Sequence, residues 1–488
     1  MTRGGRVAVG PSAALVLLTL GGALAGCAAG LVACTAVAAT DGKALGAFAL
    51  TAAATGALAA ACLTISRKSS RGLTVRPVAG LLAVTVSWLG AGAVGAAVLL
   101  AAGTFTSPLD AYFEATSGFT TSGATMLAEI EPQPDAVLLW RSVMQWLGGV
   151  GIVVLVVAVA PVTGPAVQRA FYAETTGITH ERLTPRIIDT AKIIAGIYVA
   201  LSAAAMVAYA LAGMGGFDAL NHGLTTVATG GFSTRTDSIG AFDSVPIELV
   251  GIVFMVLGGV NFAFYWRAVR RRPLMPQGSE VLAFLAILAG AIAVITFSVE
   301  ASGDATLREA AFNVTSIVTS TGYATTDYDA WNQFARVGLL VLMSSGACAA
   351  STAGGIKVIR TVLLTKAAGQ EIQRPLNPSA VRVLRFGGHP YSEDVRRAVL
   401  GFFLVYSLIY VAGSLAMAAT GVDPVTAISA ASSSLNIIGP GLGEVGPDQS
   451  WQALPDFGRG VAIVLMIVGR LEVFTVVALL AAMFTLRR

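Results

Sequence analysis

Ten apolar stretches run through this chain, near residues 11–39, 44–66, 80–103, 136–161, 190–213, 245–268, 280–299, 335–365, 397–419 and 457–485. Several exceed the ~18 residues that mark a membrane span. Inside hydrocarbon no water satisfies backbone N–H and C=O groups, so each stretch must be helical or be sheltered by other protein. That requirement makes the chain an all-α membrane protein. Only 12% of its residues are charged, against ~25% in soluble domains, which leaves little room for a soluble domain.

The basic residues orient the spans. Arg67, Lys68, Arg71 and Arg76 follow the second stretch, and later clusters run from Arg169 to Lys192, Arg267 to Arg272 and Lys357 to Arg397, then Arg487 and Arg488. The chain crosses twice between successive clusters, so the Lys/Arg bias puts every cluster and both termini in the cytoplasm. Arg3 and Arg6 precede the first apolar run, which is too long for a signal-peptide core and reads as a retained helix. Cys27, Cys34, Cys62 and Cys348 sit in apolar surroundings without CxxC or His-paired spacing and read as small buried hydrophobes.

Between the two spans of each later pair lies an outer segment too long for a tight turn and too apolar for a solvated loop. These are "FEATSGFTTSGAT" (113–125), "LNHGLTTVATGGF" (220–232), "FNVTSIVTSTGYA" (312–324) and "SAASSSLNIIGPG" (429–441). They align without gaps on Gly123, Gly230, Gly322 and Gly439 as a short helix-compatible stretch, then Thr/Ser or its variant, then Gly. The unit predicted is helix, re-entrant helix, glycine turn, helix, repeated four times in parallel. Four such segments imply one pore on a pseudo-fourfold axis, where backbone carbonyls can replace a cation's hydration shell. The re-entrant helices would aim their negative C-terminal ends at its centre. The division expected is 1–78 (two N-terminal helices), 79–165, 166–275, 276–390 and 391–488 (pore repeats 1 to 4). Asp110, Glu114, Glu129, Glu131, Asp218, Asp237, Glu309, Asp327, Asp329, Glu444 and Asp448 fall in the outer segments, where their sign would concentrate cations.

Two features stand out on the other side. In "SSGACAASTAGGIKVIR" (344–360) an apolar span gives way to small residues, predicting a broken third-repeat inner helix. Non-helical backbone at that depth needs a cavity or protein cover. Gly346, Ala347, Ala353, Gly354 and Gly355 are the candidate gate, with Lys357 and Arg360 at its cytoplasmic edge. Arg470 lies mid-span in 457–485, where an arginine costs at least ~2.5–3.5 kcal/mol. It is read as facing the conduction path, raising a barrier below the filter or meeting a carbonyl. Glu472 falls on a different helical face and makes a poor local partner.

With these residues in view the chain resembles the Trk/Ktr/HKT superfamily of potassium transporters, most closely the bacterial Trk type. "WRSVMQWLGGVGIVVL" (140–155), "LTPRIIDTAK" (183–192), "STAGGIKVIR" (351–360), "NIIGPGLG" (436–443) and "GRLEVFT" (469–475) carry the likeness, which covers the chain from about residue 80. The resemblance implies a potassium filter at Thr121-Ser122-Gly123, Ala228-Thr229-Gly230, Ser320-Thr321-Gly322 and Ile437-Ile438-Gly439. Gly123, where some family members carry serine and pass sodium, favours potassium. It also implies a homodimer in membrane lipid and a cytoplasmic nucleotide-binding ring regulator, TrkA-like. Potassium is the transported ion. No organic cofactor, nucleic-acid partner or enzymatic activity is expected.

Competing patterns are weaker. "GAGAVG" (90–95) and "GLGEVG" (441–446) match GxGxxG but follow no strand. "NVT" (313–315) falls in a re-entrant helix, and His180, His222 and His389 lack zinc spacing. A secondary transporter for an organic solute would call for inverted repeats, and a membrane enzyme for clustered catalytic groups.

Overall fold

The computed structural model describes residues 10–69, 77–159, 187–274, 277–376 and 383–473. Arg3, Arg6, Arg71, Arg76, the part of the Arg169–Lys192 cluster before residue 187, residues 183–186 of the linker motif, the end of the last apolar stretch and the terminal arginines lie outside the described residues.

Two helices, α1 (Pro11–Asp41) and α2 (Leu45–Ser69), form an N-terminal hairpin. Gly42 closes α1 in the left-handed conformation at φ 69°, and its N–H reaches the Ala38 carbonyl. Small residues bring these helices close: Gly21 lies on Leu63, and Gly30 lies on Val143 and Trp140 of the first pore unit.

Four units follow. The first is α3 (Pro77–Ala101), α4 (Pro108–Thr120) and α5 (Asp135–Val159). The second is α6 (Ile187–Leu211), α7 (Gly216–Val227), α8 (Val245–Gly259) and α9 (Phe262–Val269). The third is α10 (Gln277–Ser302), α11 (Leu307–Val318), α12 (Gln333–Met343) and α13 (Val358–Gln373). The fourth is α14 (Glu393–Ala418), α15 (Pro424–Asn436) and α16 (Asp456–Arg470). Among the described residues six helices are long and apolar enough to cross a membrane, or seven counting the bent pair α8–α9.

Of the short helices α4, α7, α11 and α15, all but α7 begin at a side-chain cap. Ser107 accepts from the Asp110 N–H, Asp423 from those of Val425 and Thr426, and Thr306 with Glu309 forms a capping box. Their last two turns are buried throughout, so protein rather than lipid surrounds their ends. That is the shelter a helix ending inside a membrane requires.

The third inner helix is broken as the sequence predicts, but it is not alone. The second bends by 92° between α8 and α9, at Val260 and Asn261. The fourth is interrupted after Arg470, with Glu472 in the left-handed region at φ 64° and Val473 helical again. An antiparallel hairpin, β1 (Leu384–Phe386) and β2 (His389–Tyr391), adds a small sheet between α13 and α14. Gly387 and Gly388 supply the two positive φ angles of its tight turn, a legible hairpin signal that the helical reading passed over.

A candidate ion pathway: carbonyl ring and plug

Each short helix ends in the same way. Thr121, Thr229, Ser320 and Ile437 take the left-handed conformation, at φ 58°, 50°, 52° and 52°. The following N–H reaches back to the carbonyl five residues earlier: Ser122 to Ser117, Gly230 to Thr225, Thr321 to Ser316 and Ile438 to Ser433, at 2.8–3.0 Å. This is a Schellman cap with a side chain where glycine is usual. The left-handed form costs a non-glycine residue ~1–2 kcal/mol, and for β-branched Ile437 it is a clear outlier. Strain of this kind survives only where the surroundings enforce it.

The glycines come next, at Gly123, Gly231, Gly322 and Gly439, with φ 84°, 80°, 86° and 105°. In the second unit this is Gly231, not the Gly230 of the sequence alignment. Gly230 matches Ser122, Thr321 and Ile438 in its hydrogen bonding, and Ala228 is still right-handed at the end of α7. The matching triplet is therefore Thr229-Gly230-Gly231. The glycine doublet made both registers possible in sequence, and the helix end decides between them.

The glycines pack against carbonyls in a closed cycle. A methyl on Gly123 would overlap the Gly230 oxygen, on Gly231 that of Thr321, on Gly322 that of Ile438, and on Gly439 that of Ser122. Each unit thus touches the next, and the fourth returns to the first. Gln145 of α5 adds a strut across units: its Nε2 donates to the Gly230 oxygen at 2.5 Å and its Oε1 accepts from the Phe232 N–H at 3.0 Å. The buried hydroxyls of Thr121 and Ser122 have no partner among the described residues. A ring of backbone oxygens, helix C-termini and free hydroxyls suits a dehydrated monovalent cation.

Outside the ring a vestibule is lined by Gly123, Gly231, Gly322, Arg141, Gln449 and Trp451, among others. Its acidic character is smaller than the sequence suggests. Glu114 is fully buried against Arg141 at 2.8 Å instead of facing the entrance. Asp110, Asp218 and Asp329 pair with Arg459, Arg235 and Arg336. Partial burial and the nearby Asp327 and Asp237 carboxylates raise the Asp448 carboxyl above its ordinary range.

On the other side of the ring, residues 344–357 fold into a compact plug. Ser345 and Ile356 form a parallel bridge at its neck, and the Gly346 N–H meets the Ile356 oxygen at 2.9 Å. The plug fills the break between α8 and α9: Cys348 N–H donates to Gly259 O at 3.0 Å, and Phe262 N–H to Ala350 O at 3.2 Å. Its tip presses on the ring. The Gly354 N–H donates to Ser320 Oγ at 2.6 Å, and a methyl on Gly354 would overlap the Asn436 oxygen and the Ile437 side chain. Thr352 Oγ1 lies 3.0 Å from Val227 O and 3.1 Å from Gly258 O. Ala347 and Ala353 are buried within it, and Gly355 turns the chain at φ 70°.

Long charged side chains surround the plug. Arg470 Nη1 donates to Thr352 O at 2.9 Å and Nη2 to Gly148 O at 2.7 Å, bridging plug and first inner helix as the carbonyl alternative anticipates. Glu472 leaves Arg470 and pairs with Arg360 at 2.9 Å. Lys357 and Arg360 are both buried, Lys357 Nζ folding back to Ala353 O and Arg360 stacking on Phe402 at 4.1 Å. Glu280 of α10, which sequence reading missed, accepts the Ala349 N–H at 2.7 Å. Its signal was a lone carboxylate at the start of an apolar span.

Comparison with known proteins agrees with this architecture. The TrkH cation transport protein family model matches residues 47–303 and 282–485. The Trk system potassium uptake protein TrkH of Halomonas elongata is 39% identical over 413 residues, covering 83% of this chain and 85% of that protein. TrkH of Escherichia coli K12 is 36% identical over 414 residues, with the same coverage of 83% and 85%. The crystal structure of the potassium transporter TrkH from Vibrio parahaemolyticus superposes with a TM-score of 0.86 at 36% identity, over 96% of this chain and 98% of that one. With four ring-forming repeats and these matches along nearly its whole length, the chain belongs to the TrkH family of cation transport proteins, a transporter family and not one of enzymes.

Proposed function

We propose that this chain takes up potassium across the cell membrane through the carbonyl ring, with residues 344–357 as its gate. The observation that carries the reading is the closed cycle in which four glycines abut four carbonyls of neighbouring units. Such a ring offers oxygens in place of water and leaves no space for a larger solute. The relatives named as potassium uptake proteins and the glycine at position 123 support potassium as the cargo. Thr121-Ser122-Gly123, Thr229-Gly230-Gly231, Ser320-Thr321-Gly322 and Ile437-Ile438-Gly439 hold the ion, mainly by backbone oxygens. At Ile437 and Ile438 only the backbone can contribute.

The plug closes the path below the ring, and Arg470 adds a positive charge there. Opening requires Thr352 and Gly354 to leave their partners. The helix α13 continues directly from the plug and carries the hairpin packed on Ile359 and Leu363, so a pull on this region would be transmitted to it. A TrkA-like nucleotide-binding ring on the cytoplasmic side is the regulator that fits, acting on a homodimer whose termini face the cytoplasm. The family name of the relatives, a Trk system, supports a multi-component assembly.

Rubidium uptake by the full-length chain in proteoliposomes tests the reading. Potassium is expected to compete and sodium to compete poorly. Equal competition by sodium would overturn the selectivity, and absence of flux with the regulator present would overturn the transport.

A further inference from the structure

Behind the ring each short helix carries one polar side chain that catches the segment leaving the filter. Glu114, His222 and Asn313 each stand nine residues before their glycines, Gly123, Gly231 and Gly322. Ser429 stands ten before Gly439, because the equivalent position is Ala430. All four are buried.

The chemistry differs while the job is the same. Glu114 accepts the Met126 N–H at 2.7 Å and the Thr125 hydroxyl at 3.0 Å. His222 Nε2 lies 3.0 Å from Ser233 Oγ, while its Nδ1 donates to the Asp218 carbonyl at 2.8 Å. Asn313 accepts the Thr325 N–H at 3.3 Å and donates to its hydroxyl at 3.0 Å. Ser429 accepts the Leu442 N–H at 3.0 Å. The caught residue lies two or three positions beyond the glycine in every case. Only the first strut is charged. Arg141 neutralises Glu114 at 2.8 Å, reaches the Ser233 carbonyl of the next unit at 3.0 Å and stacks over Phe232 at 4.1 Å.

These contacts fix the far end of a segment whose near end is the carbonyl ring. The left-handed caps are strained, and the glycines between cap and strut are the most pliable residues in the pathway. Without an anchor beyond them the ring could relax toward a smaller ion. We propose that Glu114, His222, Asn313 and Ser429 form an outer ring of positioning residues that sets the discrimination between potassium and sodium without touching either ion. The proposal rests on the potassium reading above.

The test is rubidium uptake by full-length protein in proteoliposomes, with sodium and potassium as competitors, for Asn313→Leu and Asn313→Asp. Leucine keeps the bulk and removes the two hydrogen bonds to Thr325 and the one to the Glu309 carbonyl, whereas aspartate keeps the acceptor for the Thr325 N–H. Asn313→Leu is expected to narrow the potassium-to-sodium competition ratio ~10-fold, with Asn313→Asp staying near wild type. A folded Asn313→Leu with the wild-type ratio, or equal loss in both variants, would overturn the proposal. If Asn313→Leu does not give folded protein, Ser429→Ala is read in the same assay: a narrowed ratio supports the struts and an unchanged one overturns them. A wild-type chain without discrimination would instead overturn the potassium reading itself, so the two failures are distinct.

Discussion

The two halves of the pathway are built on opposite rules. On the filter side four units repeat one geometry, with left-handed caps at φ 50–58° and glycines at 80–105° in the same order. On the plug side the four inner helices all differ. The first is helical as far as it is described, the second bends by 92°, the third is interrupted for fourteen residues from 344 to 357, and the fourth breaks after Arg470. Ion coordination from all sides demands near-symmetry, so even the divergent Ile437-Ile438 copy keeps the backbone angles of the rest. A gate needs one element able to move, and the proposed one is a single unsymmetrical plug held by a few specific contacts. In the proposed reading, selectivity belongs to the ring and rate control to the plug.

The largest expected effect tests the register of the ring. Gly231→Ala puts a methyl on the Thr321 carbonyl at a positive φ, and rubidium uptake should fall at least ~100-fold. Gly230→Ala meets only the Gln145 side chain at an ordinary φ, and the loss should stay within ~10-fold. The reverse ranking would restore the sequence alignment over the structural one. Next, Arg470→Ala removes the bridge from Thr352 O to Gly148 O together with a buried positive charge. Initial uptake rates should rise ~10-fold while sodium competition stays unchanged. A milder version is Thr352→Val, which loses the hydroxyl contacts to Val227 O and Gly258 O and should raise the rate ~3-fold. If either plug variant altered the competition ratio, the division between the halves would fail.

The smallest effect concerns the entrance. Asp448→Asn should weaken apparent rubidium affinity less than ~2-fold, at low ionic strength only. Burial and the Asp327 and Asp237 charges raise the Asp448 pKa. Its negative charge is therefore present above that raised value and lost as pH falls through it, earlier than for an ordinary aspartate. Wild-type affinity should decline in mild acid and approach that of Asp448→Asn, which should itself be less sensitive. Parallel pH profiles for the two proteins would remove Asp448 from the account.

Much of this was legible in the sequence because membrane physics leaves few choices. Apolar length and four glycine-bearing copies were enough for the helices and the pseudo-fourfold repeat. The interrupted "STAGG" stretch announced the plug, since small residues replace the Leu, Ile and Val of a span. What escaped was decided by packing at the level of single residues. Gly230 and Gly231 are indistinguishable until α7 is seen to end at Val227. Glu114 looked like an entrance charge because its partner, Arg141, is twenty-seven residues away and meets it only in the folded unit. The burial of Lys357 and Arg360 is likewise hidden in the sequence, because their shelter comes from the plug and from α14, through Phe402. The bend at Val260 and Asn261 carries no proline; the plug's hydrogen bonds to Gly259 and Phe262 make up for the interrupted helical ladder.

The division of labour is tested most directly by deleting Ser351 to Gly355 from the full-length chain. Both initial rubidium uptake and its competition by sodium and potassium would then be measured in proteoliposomes. The account predicts a higher rate with the wild-type competition ratio. A ratio that collapses as the rate rises, or a rate that does not rise, would contradict it.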